Sequence, residues 1–367
     1  MYLILNSFVM ALFGFVFWSL AAKQFSSEDV GLATAVISAV SLVANISLLG
    51  FNVSILKFKD KSLNYTALML CSVVSFFVAC SFLLGIHLFS PGLDFILSSS
   101  VYVLGFIAFS ILSVLYLIMN SILISEEKGR IVLLKDSIFS IFKVFLILFV
   151  SGVAGLLLSW FVGMAIGFFL SLAFISPDRK WFDLKKVFHF SFYNYTSTML
   201  ALLPGLILPL VVVHYLGSSS AAYFYIAWMI ATLLLAIPSS IAQNLLSSGS
   251  TKKLQKAYIS TVLLLSLGVI GIFLFGKIVL SFFGAEYVQA LTLLYIFSLA
   301  SLPYGLRIIY QTKLNMKGRV KKNCVMNVFV LLITLFGSIT FIDFGFAAIG
   351  ISWLLANVLS LVMVGEW

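Results

Sequence analysis

Two cations stand inside apolar runs of this sequence: Lys143 within 133–150 and Arg307 within 289–312. A cation at the centre of a membrane-length helix costs about 2.5–3.5 kcal/mol on insertion scales, so each needs a compensating reason. The chemistry such a group offers is the binding of an anion in a watery cavity. The structural alternatives are also open. Lys143 snorkels or pairs with a neighbouring helix, and Asp136 lies seven residues earlier on the same face. Arg307, flanked by Pro303 and Gln311 on one face, snorkels to the interface.

Polar strips accompany them. Thr34, Ser38, Ser41, Asn45 and Asn52 share one side of a segment. Ser191, Asn194, Tyr195, Thr198 and Gly205 share another, and Tyr225, Trp228, Thr232 and Gln243 a third. Such strips avoid lipid. They either line a cavity that accommodates a sugar or make hydrogen bonds between helices. The acids show the opposite pattern. All twelve are expected in loops or at helix ends, none at mid-membrane, and the first span offers only Asn6 and Ser7. A carrier of cationic compounds would be expected to hold a buried carboxylate. His87, His189 and His214 are scattered, and Cys71, Cys80 and Cys324 show no metal-ligand spacing. No Walker or Rossmann motif is present. No catalytic residue, cofactor or metal is therefore expected.

The elements that position these residues are membrane helices. The chain has 367 residues, 62% of them hydrophobic and 9% charged, with mean hydropathy +1.19. A soluble domain of this size needs far more charge. Runs near the 20 residues of a membrane span recur throughout. They predict an all-α polytopic membrane protein of twelve spans: 3–22, 31–56, 64–87, 97–124, 133–150, 153–175, 189–214, 221–246, 257–281, 289–312, 324–342 and 344–364. The first run lacks a basic leader and is too long for a signal peptide. The chain opens abruptly inside it, so further residues are expected upstream.

Basic residues concentrate in alternate loops. Lys57, Lys59 and Lys61 follow span two. Lys128, Arg130 and Lys135 follow span four. Arg179, Lys180, Lys185 and Lys186 follow span six. Lys252, Lys253 and Lys256 follow span eight, and Lys313, Lys317, Arg319, Lys321 and Lys322 follow span ten. The other loops hold only Lys23 and Lys277. By the positive-inside rule the basic loops and both termini are cytoplasmic, in a cytoplasmic membrane. The formal net charge of +10 thus reports topology and implies no nucleic-acid partner.

The turn SSED at 26–29 then lies outside, with Ser26 or Ser27 capping span two. Behind it Gly31, Ala35 and Ala39 form a ridge that admits a close helix. Gly155, Ser159, Gly163, Gly167 and Ser171 form another on span six. A shift of 191 positions overlays the region of residues 25–52 on 216–243, pairing Thr34 with Tyr225, Ser41 with Thr232 and Asn52 with Gln243. The same shift places FLLG (82–85) on FLFG (273–276). The repeat predicts two six-helix lobes of like orientation, 1–175 and 189–367, joined by an interfacial linker at 176–188. Pro204, Pro209, Pro238 and Pro303 fall inside spans of the second lobe, where they allow bending.

The stretch FWSLAAKQFSSEDVGLATAVISAVSLVANISLLGFNVSILKF (17–58) resembles the first-to-second-span signature of prokaryotic polysaccharide transporters, the lipid-linked oligosaccharide and O-antigen flippases of the MATE-like superfamily. IPSSIAQNLLSSGS (237–250) resembles their eighth-span segment. That segment often carries an acid where Ser248 stands here. The resemblance implies a MATE-like, two-lobed fold with a central cavity and alternating access. It further implies a lipid-pyrophosphate-linked glycan on an undecaprenyl- or dolichyl-type carrier as substrate, membrane lipid as surroundings, and polysaccharide polymerase or assembly proteins as partners. On that view Lys143, Arg307, Asn45, Asn52, Asn194, Thr198, Tyr225 and Gln243 bind substrate. Competing readings are a cation-coupled exporter of the same fold and a membrane enzyme, for which no external catalytic cluster is visible.

Overall fold

The computed structural model describes residues 2–176, 178–248 and 253–362, except the side chains at 4, 89, 184, 186, 188–194 and 247–248. Among these residues there is no strand. The helices of the first half are α1 (Tyr2–Gln24), α2 (Ser27–Ser47), α3 (Phe51–Phe58), α4 (Lys61–Leu84), the single turn α5 (Ile86–Phe89), α6 (Ser100–Ser125), α7 (Gly129–Leu146) and α8 (Gly152–Leu172). The second half has α9 (Leu184–Leu216), α10 (Ser218–Ser248), α11 (Leu254–Ser281), α12 (Leu291–Met316), α13 (Val320–Thr340) and α14 (Phe346–Val362).

Among the described residues, ten helices are long and apolar enough to cross a membrane. The other two expected spans are also helical. Helix α7 has 18 residues and carries Arg130, Lys135, Asp136 and Lys143, and α14 has 17 residues. The expected second span, 31–56, is two helices. Leu49 and Gly50 take left-handed backbone angles, which ends α2 and restarts the chain as α3. The expected third span, 64–87, likewise stops at Leu84 and restarts as α5.

The repeat is visible in the element boundaries. Helices α2 and α10 begin at Ser27 and Ser218, α6 and α12 at Ser100 and Leu291, and α7 and α13 at Gly129 and Val320. Each pair starts 191 residues apart, the offset read from the sequence. Ser26 caps α2, its hydroxyl accepting from the Asp29 amide at 3.1 Å. Glu28 and Asp29 suit the positive end of that helix.

Small residues set the closest approaches. A Cβ added at Gly163 or Gly167 would meet the carbonyl oxygens of Phe139 and Lys135 at 2.8 and 2.9 Å. The span-six ridge is therefore the seat of α7. Gly31, Ala35 and Ala39 are buried, and Gly31 presses on the backbone of Ser218. The two lobes meet there, at the end carrying few basic residues. Ser27 donates to Glu286 (3.4 Å) across the junction and accepts from Tyr223 (3.4 Å) across it, while Tyr223 also reaches Glu286 (3.3 Å) within the second lobe. Toward the basic end Ile46 of α2 and Gln243 of α10 are exposed. The segment before α9 lies on the first lobe. The Phe182 amide donates to Thr66 Oγ1 at 2.9 Å, and Phe182 and Trp181 pack on Phe58 and Tyr65. Leu184, inside the expected linker, already begins α9.

Candidate functional site

Each lobe contains a cavity bounded by its own helices. The first, about 260 Å³, is lined by Met10 of α1, Ser41 and Asn45 of α2, Tyr116 and Asn120 of α6, Asp136 of α7 and Trp160 of α8, among others. The second, about 420 Å³, is lined by Ala201 and Pro204 of α9, Trp228, Thr232 and Ser239 of α10, Tyr304 and Arg307 of α12, Asn327 of α13 and Trp353 of α14, among others.

Asp136 corrects an expectation. A buried acid was expected nowhere, yet Asp136 is only 3% exposed. It sits in the second turn of α7, close enough to the helix end to read as interfacial in sequence. Lys135 Nζ donates to its Oδ1 at 2.6 Å, as does Tyr116 Oη at 2.6 Å. Asn6 Nδ2 donates to Oδ2 at 2.7 Å. Lys135, counted with the basic loops, is fully buried. Its ammonium lies 3.0 Å from the Tyr116 ring centroid. A buried pair that is also hydrogen-bonded holds together because each group would be costly alone.

Lys143 lies in the last turn of α7, 2% exposed and nearer the sparsely charged end than mid-depth. Asp136 is not its partner. Its Nζ sits 4.1 Å from the Trp160 centroid, 4.7 Å from Phe139 and 4.8 Å from Phe17. Cation–π contacts are worth about 0.5–2 kcal/mol each, so three rings offset an insertion cost of about 2.5–3.5 kcal/mol. They do so without cancelling the charge.

Arg307 does not snorkel. It is 3% exposed. Nε donates to Asn357 Oδ1 at 3.0 Å and Nη1 to Asn327 Oδ1 at 2.8 Å. Gln311 Nε2 shares that oxygen at 2.8 Å, and Asn327 Nδ2 donates to the Ser197 carbonyl at 2.9 Å. The guanidinium lies 5.1 Å from the Tyr304 centroid. Among the described residues no carboxylate forms an ion pair with Arg307 or Lys143.

The remaining expected residues divide. Asn45 lines the first cavity; its Nδ2 donates to the Ser41 carbonyl, and its own carbonyl accepts from Tyr195 Oη at 2.7 Å. Tyr225 lies at the lobe junction, its ring 4.8 Å from Trp18. Thr198 is exposed on α9, and Gln243 is exposed near the basic end of α10. Asn52, on α3, has a buried Oδ1 with no hydrogen-bond donor among the described residues. Of the expected residues with described side chains, only Asn45 and Arg307 line these two cavities; Lys143, Asn52, Thr198, Tyr225 and Gln243 line neither. The Asn194 side chain falls outside the described residues. Sequence reasoning missed Tyr116, Asn327 and Asn357. The 191-residue shift contained a signal for two of them, since it carries Arg307 onto Tyr116 and Asp136 onto Asn327.

No protein-family model matches the sequence, and no curated protein does. Solved structures do resemble it. A lipid II flippase, MurJ, in an inward closed conformation superposes with a TM-score of 0.79 at 15% identity, over 99% of this chain and 87% of that one. An inward-facing multidrug resistance MATE transporter of the MOP superfamily gives 0.71 at 15% identity, over 96% and 92%. A MOP superfamily transporter from Pyrococcus furiosus, described by a reversed polarity of its binding pocket, gives 0.62 at 14% identity, over 99% and 92%. At these identities the likeness is one of fold: this chain is an all-helical, two-lobed protein with the MATE-like fold.

Proposed function

We propose that this protein is a membrane transporter that moves a lipid-pyrophosphate-linked oligosaccharide from the cytoplasmic to the outer leaflet by alternating access. The observation that carries the reading is Arg307, a buried guanidinium with only neutral partners on the wall of a cavity of about 420 Å³. Trp228, Trp353 and Tyr304 give that cavity aromatic walls, suited to sugar rings as well as apolar groups. Lys143 adds a buried cation with no ion pair among the described residues of the first lobe, although it lines neither cavity. Together they favour an anionic substrate passing between the lobes. In this reading the basic loops are cytoplasmic. The structure is then shut at its outer end, where Gly31 meets Ser218. The fold shared with a lipid II flippase supports the substrate class.

The test is deletion of the gene in its native host, with lipid-linked oligosaccharide measured inside the cell and glycan on its surface. Accumulation inside with loss outside, both restored by the wild-type gene, is expected. Unchanged surface glycan with no substituting paralogue overturns the reading.

Asp136 favours a second reading, a cation-coupled exporter, because it supplies the buried carboxylate that such a carrier needs. Against it, Lys135, Tyr116 and Asn6 already engage both carboxylate oxygens. Loss of compound efflux in the deletion strain, with normal glycan, selects this reading instead.

A further inference from the structure

The two cavities are one cavity built twice. Residues 191 apart line them in turn: Met10 and Ala201, Ser41 and Thr232, Tyr116 and Arg307, Asp136 and Asn327. Their hydrogen bonds correspond as well. Tyr116 donates to Asp136 where Arg307 donates to Asn327. Asn6 joins Asp136 where Ser197, 191 positions later, joins Asn327.

The charges do not correspond. In the first lobe the carboxylate of Asp136 faces the ammonium of Lys135 at 2.6 Å, so the node is neutral. In the second lobe the cation stands at 307 and the acid is replaced by the amide of Asn327. Met326 occupies the position equivalent to Lys135. Asn327 is locked in this role. Its oxygen accepts from Arg307 and Gln311, and its nitrogen is held by Ser197. The second node therefore carries a net positive charge, 3% exposed, beside a cavity. A buried charge demands a counter-charge, and a guanidinium is the side chain best shaped for phosphate oxygens.

We infer that the second-lobe cavity is the seat of the substrate's phosphate, held by Arg307, and that Asn327 determines its anion selectivity by standing where the repeat has an acid. An aspartate at 327 would pair with Arg307 as Asp136 pairs with Lys135, and would close the site to anions. The inference rests on the proposed reading for the identity of the substrate, but its test measures binding alone.

The probes are farnesyl pyrophosphate and uncharged farnesol, titrated into purified protein in nanodiscs and read by tryptophan fluorescence. Wild type is expected to prefer the pyrophosphate. In Asn327→Asp its affinity should fall roughly 10- to 100-fold, the range for losing a charged hydrogen bond, with farnesol unchanged. Asn327→Asp gains an ion pair with Arg307 but loses the donation to the Ser197 carbonyl, so unchanged farnesol affinity, rather than the unfolding temperature, shows that the variant is folded. Arg307→Met with Asn327→Leu, which removes both polar partners, should lose the preference too. Equal pyrophosphate affinity in wild type and Asn327→Asp overturns the assignment, as does a wild type that does not distinguish the two probes. A wild type that restores surface glycan yet shows no preference sinks this inference and spares the flippase. A clear preference in a protein whose deletion leaves glycan normal does the reverse.

Discussion

Gly31 of α2 rests against the backbone carbonyl of Ser218, the first residue of α10, with no room for a side chain between them. The contact joins the starts of two repeat-equivalent helices. Neighbouring positions Val30, Ala33 and Ala221 are fully buried. A larger residue at 31 cannot be absorbed by a flexible neighbour, because the obstacle is main chain. Gly31→Val should therefore drive the lobes apart at this end and populate a conformation open there. A cysteine replacing Tyr223, which is 7% exposed, should label faster with a water-soluble maleimide when Gly31 is Val than when it is Gly. Equal labelling rates would show that the junction does not gate.

The Lys135–Asp136 pair should behave as a unit. Asp136→Asn leaves a fully buried ammonium without its carboxylate, a change that costs about 3–5 kcal/mol when one member of a buried pair is lost. Adding Lys135→Met removes the stranded charge, and most of the stability should return. Thermal unfolding of the single and double variants in detergent checks this. A single variant as stable as wild type would mean that the pair is solvated in the membrane-embedded protein.

How far the sequence foretold this arrangement depends on the residue. The ridge of Gly163 and Gly167 was legible because a four-residue spacing of small side chains has one use on a membrane helix. The repeat was legible because the offset recurred in two segments. It then proved stricter in the structure, where three helix pairs keep it. Asp136 was misjudged because burial depends on the tilt and packing of α7, which the distance from a helix end does not report. The break at Leu49 and Gly50 was missed because an apolar helix and an apolar helix–turn–helix have the same composition. Asn327 was passed over because an isolated amide carries meaning only beside its partner in the fold.

The prolines of α9 offer a kinetic test. Pro204 and Pro209 lie inside the helix and each removes a ladder hydrogen bond from it, and Pro204 also lines the second-lobe cavity. Pro209→Ala should stiffen α9 without lowering membrane levels and should slow transport, read as slower recovery of surface glycan after induced expression. Unchanged recovery would assign the proline to packing.

Lys143 separates holding a charge from using it. Its three rings stabilise the ammonium, yet none neutralises it. Methionine has nearly the same length and keeps the contacts with Phe17, Phe139 and Trp160. Lys143→Met should therefore unfold at the wild-type temperature or above it, since an unpaired buried charge has been removed. If the charge serves an anionic substrate, the same variant should fail to restore surface glycan to the deletion strain at matched membrane levels. Arg307→Met should fail as well, with lower stability because the oxygens of Asn327 and Asn357 lose a donor. Full complementation by Lys143→Met, alongside failure of Arg307→Met, would confine the anion site to the second lobe and leave Lys143 as the pin that holds α1 against α7 and α8.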